Sequence, residues 1–189
     1  MSHDTNPASQ GIRAFIAYIL PLDTAALLHK KVKRLQGWDE SPVRWTPPQN
    51  FHLTLRFLGD SSAEQLEKIK EGLRHELEGF HSFISMSGGV QYFPSDNHPR
   101  IMTLTLHSGR RMNDLNRVCE RVSCQAGYTP EQRLFRPHVT LARSLSRPLS
   151  ILPWQIPGYR FNVAELALVQ SELRPDGARY RIMETFPLR

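Results

Sequence analysis

Phe51-His52-Leu53-Thr54-Leu55-Arg56-Phe57-Leu58-Gly59 decides how the chain is read, because Pro137-His138-Val139-Thr140-Leu141-Ala142 echoes its centre. Both segments hold the unit His–apolar–Thr–apolar. In a β-strand, residues two apart share a face. Each segment, taken as a strand, therefore shows an imidazole and a hydroxyl on one side and an apolar pair toward a core. From the composition, about 0.06 chance matches to this unit are expected per chain of this length, so two arise in roughly two chains per thousand. A lone His on a strand face is usually a hydrogen-bonded structural residue. The duplication reverses that reading.

The surrounding pattern supports an α+β fold. Residues 12–20 read as a buried strand ended by Pro21, and Asp23 or Thr24 is placed to cap a helix running to about Gln36. Pro47 and Pro48 impose an extended turn after Trp45. Residues 51–58 form a strand closed by Gly59, and Ser61 or Ser62 caps a helix with Leu66, Ile69, Leu73 and Leu77 on one face. The pattern then restarts, with strands at 83–86 and 101–106. A helix opened by Ser108 turns Met112, Leu115, Val118 and Val122 inward, and a strand follows at 138–142. A loop with Pro148, Pro153 and Pro157 leads to strands at 161–171 and 179–186, facing each other across Arg174-Pro175-Asp176-Gly177. Hairpins among the connections favour α+β over a doubly wound parallel sheet. Residues 1–11 are expected to be a flexible lead-in, and residues 12–189 one bilobal domain.

Phosphodiester cleavage explains the two residue types. It needs one proton removed from attacking water and one given to the departing alkoxide. Imidazole titrates near neutrality, so a pair supplies a base and an acid without a metal. Threonine hydroxyls donate to non-bridging oxygens, where charge is held in the transition state. Arg56, four residues after His52 in the same strand, shares the face of His52 and Thr54 and is a candidate phosphate contact; the bland alternative is a strand-edge charge. Arg143 has the opposite parity to His138 and reaches the cavity only if the strand ends or bulges near Ala142. Trp45, Tyr92 and Phe93 are candidates to stack on a base, although such residues more often pack.

His3, His29, His75, His81, His98 and His107 show no metal-ligand spacing and read as solvated, so no metal or cofactor is expected. Cys119 and Cys124 form neither a redox nor a zinc motif, and reduced thiols fit a cytoplasmic protein. The formal net charge of +6 suits a polyanionic ligand without locating a site. No signal-peptide pattern or bilayer-length apolar run is present, so no membrane association is expected. No obligatory protein partner is evident.

Residues 43–59 and 135–143, with Phe15-Ile16-Ala17, Gly88-Gly89 to Phe93-Pro94, and Ser171-Glu172-Leu173 before Tyr180, resemble the two-histidine (2H) phosphoesterases. The likeness is specifically to the RNA 2′,3′-cyclic phosphodiesterases also described as 2′-5′ RNA ligases, and it runs from about residue 12 to the C-terminus. Arg56 stands where that family frequently has Lys. The resemblance implies a bilobal, pseudo-symmetric α+β fold, with antiparallel-rich sheets around a central cleft and helices outside. It also implies hydrolysis of 2′,3′-cyclic phosphates on RNA ends or nucleosides to 2′-phosphomonoesters. In that scheme His52 donates a proton, His138 accepts one, and Thr54, Thr140, Arg56 and Arg143 bind substrate. The spacing by itself leaves the two histidine roles interchangeable.

Three other readings use the same cleft. A 2′-5′ RNA ligase would put a 5′-hydroxyl in place of water. A cyclic nucleotide or ADP-ribose cyclic phosphate would replace RNA. A non-catalytic module would bind RNA ends without cleaving them, and the intact pairs His52/His138 and Thr54/Thr140 argue against it.

Overall fold

The first half-motif strand lies at the edge of one antiparallel sheet and the second lies inside another, and this placement organises the molecule. The computed structural model describes residues 11–34, 43–144, 158–175 and 177–189. The chain order is β1 (Ile12–Ile19), α1 (Leu22–Lys33), β2 (Val43–Trp45), a 3₁₀ turn (Pro48–Asn50), β3 (His52–Ser61), α2 (Ala63–Leu77), β4 (Phe83–Phe93) and β5 (Ile101–His107). Then come α3 (Arg111–Gln125), β6 (His138–Ser144), β7 (Arg160–Val163), β8 (Glu165–Arg174) and β9 (Gly177–Pro187). One sheet has the order β3-β1-β8-β9, the other β2-β6-β5-β4-β7, with antiparallel neighbours throughout. The fold is α+β, as the sequence pattern predicts. Setting β3 against β6 and β1 against β5 aligns the two sheets, so the internal echo in sequence is an echo in topology.

Apolar periodicity explains the helices. In α2, Leu66, Ile69, Leu73 and Leu77 are buried, each stabilising by roughly 1.5–3 kcal/mol. Ser62 begins α2 with a capping box: its hydroxyl accepts from the Gln65 amide, and the Gln65 side chain accepts from the Ser62 amide. Gly72 lets α2 approach α3, since a Cβ there would meet Val122 at 2.7 Å. α1 begins one residue before the expected cap. Pro21 takes the cap position, and Asp23 accepts from the Thr24 amide inside the first turn. α3 begins at Arg111, three residues after Ser108, whose carbonyl accepts from the Arg111 amide.

Several strand expectations need correction. β3 does not stop at Gly59. That glycine takes φ 74° and carries the strand through an irregularity to Ser61. β4 runs to Phe93, far beyond residue 86, because Gly88-Gly89 form a bulge opposite Thr105 and the ladder resumes at Val90. The single strand expected over 161–171 is two strands. The chain leaves one sheet at Val163 and enters the other at Glu165, with Ala164 between them. Phe161 and Val163 are buried in the one, and Leu166 and Leu168 in the other. The short β2 pairs with β6 and so belongs to the sheet opposite β3. α1 ends at Lys33, short of the expected Gln36; Gln36 itself, the lead-in up to residue 10, Pro148, Pro153, Pro157 and Asp176 lie outside the described residues.

One core of buried residues joins both sheets and all three helices, from Ile16 and Leu53 to Leu104 and Val139. A hydrogen bond from the Tyr18 hydroxyl to the Asn162 carbonyl (3.1 Å) ties β1 to β7 across the two sheets. A smaller cluster, Phe15, Ala17, Ala167 and Val169, lies on the other face of β1 and β8, and its Phe15 reaches the cleft. Among the described residues, no helix is long and apolar enough to cross a membrane.

Candidate active site

Paired bulges set which side chains reach the cleft. β1 partners β3 as Ala17↔Thr54 and then Ile16↔Arg56, leaving Leu55 as an extra residue. β5 partners β6 as Thr103↔Thr140 and then Met102↔Ala142, leaving Leu141 extra. Leu55 and Leu141 hold the same place in the two motifs. Each extra residue's carbonyl finds a donor outside its ladder: the Asn116 side chain for Leu55 (2.8 Å) and the Thr46 amide for Leu141 (2.9 Å). A one-residue bulge reverses the alternation beyond it.

The reversal exchanges the two arginines considered from sequence. Arg56 turns to the core side beside Ile16 and is buried, so its expected place in the cleft is corrected. Its Nε lies 3.0 Å from Glu120 Oε2, an ionic contact without good hydrogen-bond alignment, and Nη1 lies 3.9 Å from Glu131. Nη2 donates to the Thr129 carbonyl. Arg56 thus clamps the segment that leads to the second motif. Arg143 swings into the cavity and lines it with His52, Thr54, His138 and Thr140. Because Glu120 and Glu131 are partly exposed, Arg56→Ala is expected to lower the unfolding free energy by about 2–3 kcal/mol, somewhat less than for a fully buried pair. Urea denaturation measures this. Unchanged stability together with a raised KM would return Arg56 to the substrate.

The two histidines are held alike. His52 Nδ1 is 2.7 Å from the Asn50 carbonyl, and His138 Nδ1 is 2.6 Å from the Arg136 carbonyl. A carbonyl oxygen only accepts, so both Nδ1 atoms carry the proton and both Nε2 atoms are left for proton exchange. Each ring also meets a phenylalanine at an interplanar angle of 38°: Phe15 at 5.0 Å from His52, and Phe93 at 5.6 Å from His138. Tyr180 closes the His52 side edge-on at 5.0 Å. Burial in this aromatic corner holds the His52 imidazole below the usual histidine range. The Asn50 carbonyl opposes that shift, while the positive charges of His138 and Arg143 add to it. Burial also raises the Tyr180 phenol, against the pull of Arg143.

The cavity holds about 1020 Å³. Its described lining includes Arg13, Arg44, Arg143, Arg174 and Arg179 and no carboxylate, a field suited to a polyanion. β2 sets Arg44 opposite Arg143. Trp45 lines the cavity, Phe93 leans on His138, and Tyr92 is in the core and out of reach. Phe15, Phe57, Tyr180 and the lining arginines other than Arg143 were given no role in the site from sequence, although Phe15 and Tyr180 stand in stretches that carry the family resemblance. The alternation Arg13–Phe15–Ala17 is a signal for the first of them, masked by the apolar run around it. His75, His81, His98 and His107 are exposed as expected, whereas His29 is half-buried and its Nδ1 has no partner. Among the described residues, no three His, Cys, Asp or Glu side chains form a metal-ligand group.

Residues 21–103 match the LigT-like phosphoesterase family. A protein of Thermus thermophilus named RNA 2′,3′-cyclic phosphodiesterase is 34% identical, over 94% of this chain and 91% of its own. One of the same name from Methanothermobacter thermautotrophicus is 30% identical, over 94% and 99%. A crystal structure of a Thermus thermophilus protein superposes with a TM-score of 0.84 at 28% identity, covering 94% of this chain and 98% of the other. E. coli LigT complexed with 3′-AMP superposes at 0.76 and 24% identity, covering 95% and 99%, a likeness of fold.

Proposed function

Because the chain belongs to the LigT-like phosphoesterases, we propose that it is an RNA 2′,3′-cyclic phosphodiesterase, opening the cyclic phosphate at RNA ends by two-histidine acid–base catalysis. The observation that carries this reading is the arrival of both His–Thr pairs in one arginine-lined cavity, each His with Nε2 available. Residues 12–189 act as one bilobal domain in the cytoplasm, behind a lead-in of residues 1–11.

Water attacks phosphorus in line with the bond to the ribose 3′-oxygen. His138 Nε2 takes a proton from the water, and the new P–O bond forms as the P–O3′ bond breaks. His52 Nε2 gives its proton to the departing 3′-oxygen. The second water proton stays with the product phosphate. Exchange with solvent then returns a proton to His52 and removes one from His138. Thr54 and Thr140 donate to the non-bridging oxygens, and Arg143 neutralises the charge that builds there. The product is a 2′-phosphate with a free 3′-hydroxyl. Protein treated with EDTA and given a nucleoside 2′,3′-cyclic phosphate is expected to yield the 2′-phosphate by phosphorus NMR. A predominant 3′-phosphate would reverse the leaving-group assignment, and no turnover without added metal would end the metal-independent scheme.

The depressed His52 imidazole has a kinetic consequence. Burial favours its neutral form in the free protein, whereas a proton donor must begin charged. A bound phosphodiester anion favours the charged form of both rings and raises their proton affinity. Both limbs of the bell-shaped profile are therefore expected at higher pH for kcat, which reports the complex, than for kcat/KM, which reports the free enzyme. The limbs belong to the pair and not to single rings. Coincident profiles would show that the phosphate does not sit against the histidines.

A further inference from the structure

In the cleft-facing positions of the two motif strands, one matching pair carries unlike side chains. Each bulge brings the residue five beyond its motif His into the cleft; these are Phe57 on β3 and Arg143 on β6. A nucleoside cyclic phosphate is also unlike at its two ends, apolar at the base and charged at the phosphate. Four aromatic side chains line the cavity among the described residues: Phe15, Trp45, Phe57 and Tyr180. Phe15 is buried, and Trp45 and Tyr180 are partly covered. Phe57 is exposed, at 41%. The guanidinium of Arg13 lies 4.6 Å from the centre of its ring, which draws a planar cation and an aromatic ring into one surface. Phe57 lies three residues beyond Thr54, on the order of 10 Å along the strand and less across the bulge. That is the span of about one nucleotide.

We propose that Phe57, backed by Arg13, is the platform on which the base of the terminal nucleoside stacks, with larger purine rings held better than pyrimidines. Resting on the hydrolase reading above, the inference names a specificity determinant of the same site. An unpaired base at an RNA end has a free face for such a surface, and stacking needs no base-edge hydrogen bonds.

The test compares adenosine 2′,3′-cyclic phosphate with methyl ribofuranoside 2,3-cyclic phosphate, which keeps the ribose and the reacting ring but has no base. In wild type, kcat/KM is expected to favour the adenosine compound. Phe57→Ala is expected to shrink that preference about tenfold or more, chiefly through KM, and Phe57→Trp to restore it. An unchanged preference in Phe57→Ala, or equal losses on both substrates, would overturn the platform and leave the hydrolase reading intact. Wild type inactive on both substrates would instead sink the hydrolase reading, and the platform with it.

Discussion

His52→Ala and His138→Ala are each expected to lower turnover at least about a hundredfold on a nucleoside 2′,3′-cyclic phosphate, the scale on which a general acid or base contributes. Both rings act in one step, so the double variant is expected to lose little beyond either single one. The two single variants differ in how they respond to pH. Without His138, the limb requiring a deprotonated base disappears, and residual activity no longer falls on the acid side. Without His52, the limb requiring a protonated donor disappears, and activity no longer falls on the alkaline side. Single-turnover kinetics across pH separates the two cases. Near-normal turnover in either variant would defeat the pair, while exchanged limbs would keep the pair and swap the roles.

Replacing Thr54 or Thr140 by Val is expected to cost about ten- to a hundredfold in kcat, the worth of a hydrogen bond to a developing charge in a sheltered site. Val keeps the branched shape and removes the hydroxyl, and Ser, which keeps the hydroxyl, is expected to retain most activity. The two threonines hold matching places on β3 and β6 in the same cavity, so comparable losses are expected from each. Losses confined to KM would mean that the hydroxyls bind substrate and transition state alike. Unchanged rates in both Val variants would assign the hydroxyls to the main chain instead.

Much of this site was legible from alternation alone. His52 with Thr54, and His138 with Thr140, share faces because the strands are regular up to the threonines. Beyond them the period of two misleads. It favours Arg56 and disfavours Arg143, and the structure has them the other way round. Neither Leu55 nor Leu141 announces an extra residue. The bulges depend on Asn116 and on Thr46, distant positions that supply the missing donors. The aromatic corner of His52 was illegible for a related reason: Phe15 and Tyr180 come from β1 and β9, and only the sheet order brings them together. In the fold, α2 was readable because its cap and apolar stripe are local. The break at Ala164 was not, since the residues on both sides of it are equally suited to strands.

The anchoring of both imidazoles on main-chain oxygens bears on how the catalyst can be altered. Where a carboxylate orients a histidine, exchanging that acid retunes the ring's basicity. Here the acceptors are the carbonyls of Asn50 and Arg136, which every side-chain replacement leaves in place. The tautomer is therefore inherited from the backbone path, and point variants at those two positions leave it intact. What remains adjustable is the medium around each ring: the aromatic wall of His52 and the cationic rim of the cleft. Selection or design that shifts the working pH of this enzyme has to act through solvation and long-range charge.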